Sequence, residues 1–269
     1  MDRLDAAAIR LPGVQVRVLE QCSSTNTLLL AEKEMPLPVL LATEEQTAGR
    51  GRRGRLWHSS PGRDVAFSLA RRIARPTREL AALSLVAGVA AAKALRALGV
   101  AEAALKWPND LLADGAKLGG ILVETRGQGN GTGRGSASLA VIGIGINCRR
   151  DPGLERRLRR RVAFLEDLLS PLPPRNQVIR QVAIALLEML TAFEERGLDA
   201  VRDEWLALHA HTGQRLLVRL EDGRRLSGIA SGLAEDGSLQ LHTRSGVRAV
   251  RSGRVMSARV APVRQSGVG

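Results

Sequence analysis

The stretch 43–57, TEEQTAGRGRRGRLW, restricts the fold more than any other part of the chain. Four arginines and three glycines fill the seven positions 49–55. A helix there would be poor, because each glycine costs about 1 kcal/mol relative to alanine and neighbouring cations repel one another. The stretch is therefore predicted to be a loop. Glycine lets a ligand approach the backbone and arginine supplies fixed charged donors, so a ligand-binding loop and a solvated basic loop both fit.

Three glycines of this stretch, Gly49, Gly51 and Gly54, also satisfy the dinucleotide-binding pattern G-x-G-x-x-G. That pattern needs a strand before it, a helix after it and an acidic residue about twenty positions later. The residues that follow, 56–62, start no helix, and Glu79 falls where the sequence indicates a helix start. A dinucleotide site is therefore not predicted.

The basic character of the chain has two sources. A net charge of +13 over 269 residues suggests an anionic partner such as a nucleic acid, a nucleotide or an acidic protein. Only four of the 40 basic residues are lysine, however, so part of the arginine excess reflects a compositional preference. Against that background the lysines are informative, because Lys106 and Lys117 both lie in KWPNDLLADGAK. A compact, mobile ammonium group is expected there.

Other features exclude several classes of protein. Cys22 and Cys148 are too few for a disulfide framework, and the four histidines form no metal-ligand spacing with them, so no structural zinc is expected. The first residues lack the apolar segment of a signal peptide, and the uncharged, alanine-rich run 80–92 is too short to span a bilayer. We therefore expect a cytoplasmic protein that makes no membrane contact.

Strand and helix patterns alternate over the first two thirds of the chain. Apolar runs predict strands over 15–20, 38–43, 64–70, 101–106, 118–125 and 139–146. Helices are predicted over 27–33, 178–196 and 198–209, and over about twenty residues from an N-cap at Thr77, with Glu79 in the first turn, to Gly99. The glycine-rich stretch 126–138 is predicted to be a flexible hairpin loop. Together these patterns predict an α+β fold.

Two segments keep alternative interpretations open. The residues Cys22, Ser23, Ser24, Thr25 and Asn26 stand at a strand-to-helix junction, where small polar side chains either cap the helix or bind a ligand, and capping is favoured from this stretch alone. The stretch 149–161 contains seven arginines with Asp151 and Glu155. It fits a clamp on a phosphate or an acidic partner as well as it fits a solvated face.

The pattern changes after residue 212. Five short alternating runs lie within 215–260 and are separated by Asp-Gly and Ser-Gly pairs. Turn signals at this spacing are typical of a small antiparallel barrel of about fifty residues. The sequence therefore predicts two domains, 1–211 and 212–269.

Glycines, cations and amides recur at the predicted strand ends. Lys106–Asp110 (KWPND) lies between two strands, Lys117–Ile121 (KLGGI) opens the next, and Gly143–Asn147 (GIGIN) ends a third. Each has a structural explanation of its own, as a tight turn, a bulge or a small-residue packing face. Together with the arginine loop they form four polar sets at strand ends, which packing alone explains poorly.

These residues resemble the biotin–protein ligase family. The resemblance rests on SSTN (23–26), Q-x-A-G-R-G-R-R-G-R-x-W (46–57), KWPND (106–110), KLGGILVE (117–124) and GIGIN (143–147), which occur in family order. The combination is specific, although the first and last motifs alone are weak. It implies a mixed-sheet catalytic domain of the biotin/lipoate ligase type followed by a small SH3-like β-barrel.

The resemblance implies an AMP-forming ligase that uses biotin and ATP with Mg²⁺. The enzyme would form biotinyl-5'-AMP and then transfer biotin to a lysine of biotin carboxyl carrier protein, the acetyl-CoA carboxylase subunit. Fixed cations would offset the repulsion between carboxylate and triphosphate. By motif match, the residues expected to bind biotin are Ser24, Thr25, Asn26, Gln46, Arg50, Gly51, Arg52, Trp57, Lys117, Gly119, Gly120 and Gly143. ATP binding falls to Lys106, Asn109, Asp110 and Asn147. Arg52 and Lys117 are the catalytic candidates, and no protein-held metal site is expected.

We expect one difference from some members of the family, and two rival functions fit the sequence less well. Some family members begin with a winged helix-turn-helix domain, but the first motif appears here by Ser23, so we expect no such domain and no specific DNA binding. The family leaves a homodimer open. A lipoate or octanoate ligase or transferase of the same fold would not carry GRGRRGR together with KWPND. A basic nucleic-acid-binding protein would explain the charge but not the placement of lysine and asparagine.

Overall fold

The computed structural model describes residues 2–127, 137–151, 153–158 and 160–260. Seven strands form one mixed sheet in the order β1-β2-β3-β7-β6-β5-β4, in which β1 and β2 are parallel and the other described pairs are antiparallel. These strands are β1 (Gln15–Cys22), β2 (Val39–Gln46), β3 (Asp64–Ile73), β4 (Ala104–Lys106), β5 (Asp110–Ala113), β6 (Ala116–Arg126) and β7 (Ser138–Asn147).

Helices cover the two faces of this sheet unequally. The two long helices pack against each other and against one face of the sheet, and a shorter helix covers part of the other face. The helices are α1 (Ala6–Ile9), α2 (Thr25–Ala31), α3 (Leu83–Ala97), α4 (Leu154–Leu158), α5 (Leu165–Leu168), α6 (Arg175–Arg196) and α7 (Arg202–Leu208). Short 3₁₀ turns occupy Arg52–Gly54, Thr77–Ala82 and Gly197–Ala200.

Alternation along the central strands divides the core into two layers. In β2, Leu40 and Ala42 join the core under α3 and α6, whereas Val39 and Leu41 join the smaller cluster under α2. A strand that is buried on both faces needs such a continuous apolar run. Strand β7 follows the same rule, with Leu139 and Val141 beneath α2. The α2 face of β7 therefore begins apolar, and its glycines come later in the strand.

The segment Thr77–Ala97 is long and apolar enough to cross a membrane by length and composition. In the folded chain, 72% of its apolar window is buried, and Val86, Val89 and Leu95 belong to the main core. Such burial is typical of a core helix.

Five antiparallel strands form the C-terminal β domain, in the order β11-β10-β9-β8-β12. They are β8 (Gln214–Leu220), β9 (Arg225–Leu233), β10 (Leu239–Thr243), β11 (Gly246–Val250) and β12 (Gly253–Val260). The five predicted runs are confirmed. A hydrogen bond from the Trp107 indole N–H to the Gly237 carbonyl, at 3.4 Å, joins this domain to the first, and the segment that leads into it is fixed by a bridge between Leu105 and His209.

Some sequence predictions were wrong in detail. Thr77 does not cap a long helix: it opens a 3₁₀ turn after Pro76, and the α-helix starts at Leu83. Glu79 lies in the first turn of that 3₁₀ segment and pairs with Arg75. Strand β5 was missed, because four residues flanked by turns carry too little pattern. The arginine-rich stretch 149–161, for which no helix was predicted, contains helix α4, with Leu154 buried. Residues 128–136 of the predicted hairpin loop lie outside the described residues.

Candidate active site

A groove runs along the carboxyl-terminal half of β7, on the α2 face of the sheet. Beyond Val141, that face of the strand carries Gly143, Gly145 and Asn147, which span about 13 Å at strand geometry. On the neighbouring strand, Gly120 lies opposite Gly145 and Leu122 opposite Gly143, so both belong to the same face. The alternate glycines thus form the floor of a cavity of about 330 Å³. That volume falls in the range of small-molecule sites.

The space that side chains at these glycine positions would fill is occupied by other groups. A Cβ on Gly143 would overlap the Asn26 side-chain oxygen, and a Cβ on Gly145 would lie 2.5 Å from the Trp57 ring. Both contacts are far closer than van der Waals distance. The glycines of GIGIN therefore leave room for two side chains that build the walls of the cavity.

Buried hydroxyl and amide groups close the Gly143 end of the groove, and we call this set the polar recess: Ser24, Thr25, Asn26, Gln46 and Ser68. Thr25 and Ser68 join their hydroxyls at 2.7 Å, and Ser68 donates to the Asn26 side-chain oxygen at 2.6 Å. The Gln46 oxygen accepts from the Thr25 backbone N–H at 2.9 Å. The recess thus offers donors and acceptors in a fixed arrangement at the start of α2 and on β2 and β3.

Helix α2 and strand β6 hold this recess in place. Ser24 caps α2 by accepting from the Thr27 backbone N–H, so the capping interpretation is confirmed, yet the same residue also lines the cavity. Asn26 donates to the Leu122 carbonyl at 3.2 Å and to the Glu124 carboxylate at 3.0 Å. The helix start therefore serves the fold and the site together.

Trp57 stands over the middle of the groove. Its backbone N–H donates to the Gly49 carbonyl at 2.9 Å. This hydrogen bond joins the two ends of the arginine loop and holds Trp57 over the glycine floor. Its indole N–H is buried and has no hydrogen-bond partner among the described residues. A buried unpaired donor costs free energy unless a ligand or a water molecule accepts from it. An acceptor atom bound in this cavity would remove that cost.

The four arginines of the loop divide into two pairs. Arg50 forms an ion pair with Glu124 at 2.9 Å. Arg53, in the left-handed region at φ 59°, donates to Glu221 and to Ser252 of the C-terminal β domain, both at 2.9 Å. We call Arg53, Glu221 and Ser252 the loop clasp. Arg52 and Arg55 form no ion pair with a described residue and line the cavity. Burial, and then the neighbouring arginines, lower the pKa of both guanidinium groups.

Lys106, Lys117 and Asp110 line the same cavity as Arg52 and Arg55. Lys117 forms an ion pair with Asp110, and its ammonium group is 5.9 Å from the centre of the Trp57 ring. Lys106 stands opposite Asp110 in the β4–β5 pairing. Burial lowers the pKa of Lys106, which Asp110 raises and nearby arginines lower further. The centre of the groove is therefore strongly positive.

The predicted asparagines have structural partners. Asn109 donates to the Ile121 carbonyl at 2.8 Å. Asn147 is buried and donates to the carbonyls of Lys117 and Ala163, at 3.2 and 3.1 Å. Both line the cavity and brace its walls. Across the part of the chain that the structure describes, no three histidine, cysteine or acidic side chains gather into a metal-type cluster.

One predicted site residue faces elsewhere. Gly119 lies opposite Ile146 and so points to the helix-covered face, where an added Cβ would lie 2.6 Å from the Gly145 carbonyl oxygen. It is not among the residues that line the cavity, and its position fits close packing of β6 on β7, while its biotin-binding role stays a prediction. Pairing register decides this, because neighbouring residues of a strand point to opposite faces.

Several residues that line the cavity or support its lining were not predicted from the sequence. Ser68 had a signal, since it is a lone hydroxyl inside the apolar strand VAFSLA. Gly145 was quoted within its motif but not assigned. Arg160 lies in the arginine-rich stretch 149–161, for which a clamp was left open without naming this residue, and Arg254 had no signal because its segment carries no motif.

The fold and the site together define an enzyme that holds a small organic group in a polar recess and an anionic group against fixed cations. The sequence matches the Biotin/lipoate A/B protein ligase family over residues 18–147 and the Biotin protein ligase C terminal domain over residues 211–256. The chain belongs to the biotin protein ligase family.

Individual relatives agree with that membership. The "Biotin--[acetyl-CoA-carboxylase] ligase" of Mycobacterium tuberculosis is 31% identical over 256 residues, which are 91% of this chain and 90% of that protein. The "Bifunctional ligase/repressor BirA" of Escherichia coli is 42% identical over 120 residues, 44% of this chain but only 37% of that protein. The Aquifex aeolicus biotin protein ligase, solved in complex with biotin and ATP, superposes with a TM-score of 0.75 at 26% identity, covering 92% of this chain and 99% of that one.

Proposed function

We propose that this enzyme joins biotin to a lysine of biotin carboxyl carrier protein at the expense of ATP, through biotinyl-5'-AMP. One observation carries the proposal: the same groove has a polar recess at one end and, further along, cations that form no ion pair with a described residue. Biotin is such a molecule in outline, with a polar bicyclic head and a carboxylate on an apolar chain. The complex of the Aquifex aeolicus relative with biotin and ATP supports the same assignment.

In the first step, a biotin carboxylate oxygen attacks the α-phosphorus of ATP, the bond from that phosphorus to the bridging oxygen breaks, and pyrophosphate leaves. Two anions must approach each other, so fixed positive charge has to offset their repulsion. We assign that role to Arg52 and Lys117, which both line the groove, with the Lys117 ammonium group 5.9 Å from the centre of the Trp57 ring. Lys106 and the nucleotide-side residues Asn109, Asp110 and Asn147 would receive MgATP.

In the second step, a neutral lysine amine of the carrier attacks the acyl carbon of the adenylate, AMP leaves, and the amine loses a proton. Trp57 covers the groove between the recess and the cations, which restricts water to the reacting carbon from that side. We take the enzyme to be cytoplasmic and assign its charge of +13 to the ligand site and surface, with no specific DNA partner.

The test is exchange of labelled pyrophosphate into ATP by the purified protein. We expect exchange that requires biotin, and subsequent transfer of label from biotin to a carrier domain. Exchange supported by lipoate or octanoate instead would move the enzyme to the sister activity of the same fold. Absence of exchange with every acid would refute adenylate formation.

A further inference from the structure

The two strands that carry the arginine loop separate before the loop begins. Among the described residues, β2 and β3 pair with each other over 39–42 and 67–70. Further along, β2 pairs with β1 as far as Gln46, and the first residue of β3, Asp64, pairs with β7. The two strand ends are therefore held to different neighbours, and their own pairing does not fix the base of the segment 47–63 between them.

The buried guanidinium group of Arg175 joins these two strand ends. Only 1% of Arg175 is exposed, and its Nη1 forms an ion pair with the Glu44 carboxylate of β2 at 2.7 Å. The same nitrogen donates to the backbone carbonyl of Asp64 at 3.3 Å. Glu44 lies two residues before Gln46, and Asp64 opens β3. One side chain therefore contacts both strands at the base of the arginine loop.

The N-terminal segment holds Arg175 from another direction. Asp2 forms an ion pair with the Arg175 Nε at 3.3 Å and also accepts from the Arg175 backbone N–H at the start of α6. The second oxygen of Glu44 accepts from the Leu4 backbone N–H at 2.6 Å. Burial opposes the charge of Arg175, but the hydrogen bonds and charges of Glu44 and Asp2 outweigh it and raise the pKa of Arg175. We call Asp2, Glu44 and Arg175 the basal cluster.

Asp64 extends these contacts to the chain that follows Trp57. One oxygen of the Asp64 carboxyl group accepts from the Ser60 backbone N–H at 2.9 Å. The Ser60 hydroxyl donates to Asp151 at 2.7 Å. Ser60 stands three residues after Trp57. The contacts that start at Arg175 therefore reach the turn behind the indole that covers the glycine floor.

Stability alone explains the basal cluster poorly. Taking a guanidinium group out of water costs free energy, and well-packed apolar side chains of similar volume often stabilise a core equally well. A guanidinium group differs from them in its planar set of donors, which can contact groups on separate strands at once. Asp2, Glu44 and Arg175 are not among the residues that line the cavity, so the cluster can affect a ligand only through the residues it holds.

We propose that Arg175 is a positioning residue for biotin binding, which joins the ends of β2 and β3 and thereby holds Arg52 and Trp57 over the glycine floor. The inference rests on the proposed function, because that function assigns Arg52 to the biotin carboxylate and Trp57 to the cover of the groove. The loop clasp holds the arginine loop from the C-terminal β domain, whereas the basal cluster holds it from the sheet.

The test measures loop mobility and biotin affinity in the full chain. Glu44→Gln removes one charge of the basal cluster, and it should raise hydrogen exchange of the amides of 47–63 a few-fold in ligand-free protein. Titration calorimetry should show about tenfold weaker biotin binding, because a small displacement of a binding surface is costly. Arg175→Met should exceed both effects, and Arg175→Lys should recover part of them. Glu45→Gln is the matched control, because Glu45 is the next residue of β2, points to the opposite face and contacts Gln21.

A second variant separates positioning from folding. Val182→Ala removes buried volume two turns further along α6, so it should lower the free energy of unfolding in urea while biotin affinity and loop exchange stay at wild-type values. Weaker biotin binding in Val182→Ala, to the same extent as in Arg175→Met, would overturn the inference and assign the effect to the fold. Should Arg175→Met fail to fold, the comparison of Glu44→Gln with Glu45→Gln decides the question.

The remaining outcomes distinguish this inference from the proposed function. Wild-type protein that binds biotin, with an affinity that Glu44→Gln and Arg175→Lys leave within twofold, would overturn the inference alone. Wild-type protein that binds no biotin would overturn the proposed function and, with it, the role of Arg175 in biotin binding.

Discussion

Replacing Gly145 with alanine is expected to weaken biotin binding far more than it weakens the fold. The new Cβ would lie 2.5 Å from two carbons of the Trp57 ring. Ordinary contact begins near 3.4 Å, so one group must move by about 1 Å. Strand β7 is held between β3 and β6, with Gly145 paired to Ala66 and Gly120, so the backbone cannot retreat. The half-buried indole ring has to swing outwards.

The size of the effect follows from which group moves. Overpacking inside a rigid core costs about 1–3 kcal/mol, but a ring at the mouth of a groove can relax, so we expect the free energy of unfolding to fall by about 1 kcal/mol or less. A displacement of about 1 Å at a binding surface can cost up to about 10²-fold in function. Biotin affinity should therefore fall by about tenfold to a hundredfold.

Titration calorimetry with biotin and urea unfolding measure the two quantities. Gly127→Ala is the matched control, since its Cβ would meet nothing within 4 Å. Gly120→Ala should have a smaller effect, because its nearest neighbour is the flexible end of Lys117 at 3.2 Å. In a double-mutant cycle with Trp57→Ala, the penalty of Gly145→Ala should largely disappear. Biotin affinity of Gly145→Ala within twofold of wild type would refute the reasoning.

Three further predictions concern the loop and pH. Arg52→Gly should speed release of the adenylate while leaving its formation measurable, and an unchanged release rate would contradict the role of Arg52. Glu221→Gln should open the loop clasp and raise hydrogen exchange of loop amides a few-fold in ligand-free protein, whereas Asp222→Asn, whose partner lies in its own turn, should not. Burial raises the pKa of Asp64 to about 7, so the contribution of Asp64 to stability is lost as pH rises from about 4 to 7. Burial and a neighbouring histidine lower the pKa of His209 to about 3, so the contribution of His209 is lost as pH falls below 6.5. The two pH dependences oppose each other, so each is seen best when the other group is removed. In urea unfolding from pH 4 to 6.5, Asp64→Asn should lose stability on acidification and His209→Phe should lose stability on alkalinisation, each by up to about 1.4 kcal/mol per pH unit. A difference from wild type that does not change with pH would contradict both assignments.

Local chemistry determined much of the architecture. The arginine loop, the alternating glycines of GIGIN and the turn pairs after residue 212 each restrict their own few residues, so their structures were predictable from neighbours alone. The same local patterns carried the motifs through which most of the lining residues were identified. The missed strand β5 and the misplaced start of α3 lie where short segments leave the pattern weak.

The tertiary structure alone decided which of these groups are available to a ligand. Among the described residues, Arg50 and Arg53 form ion pairs while Arg52 and Arg55 do not, and the partners Glu124 and Glu221 lie far along the chain from the loop. Pairing register turned Gly119 away from the cavity and Gly120 towards it. These outcomes depend on contacts between distant segments, and a local sequence pattern contains no information about which distant side chain will stand beside it. The sequence by itself therefore determined the elements and the kind of chemistry, and packing determined which cations remain free to meet an anion.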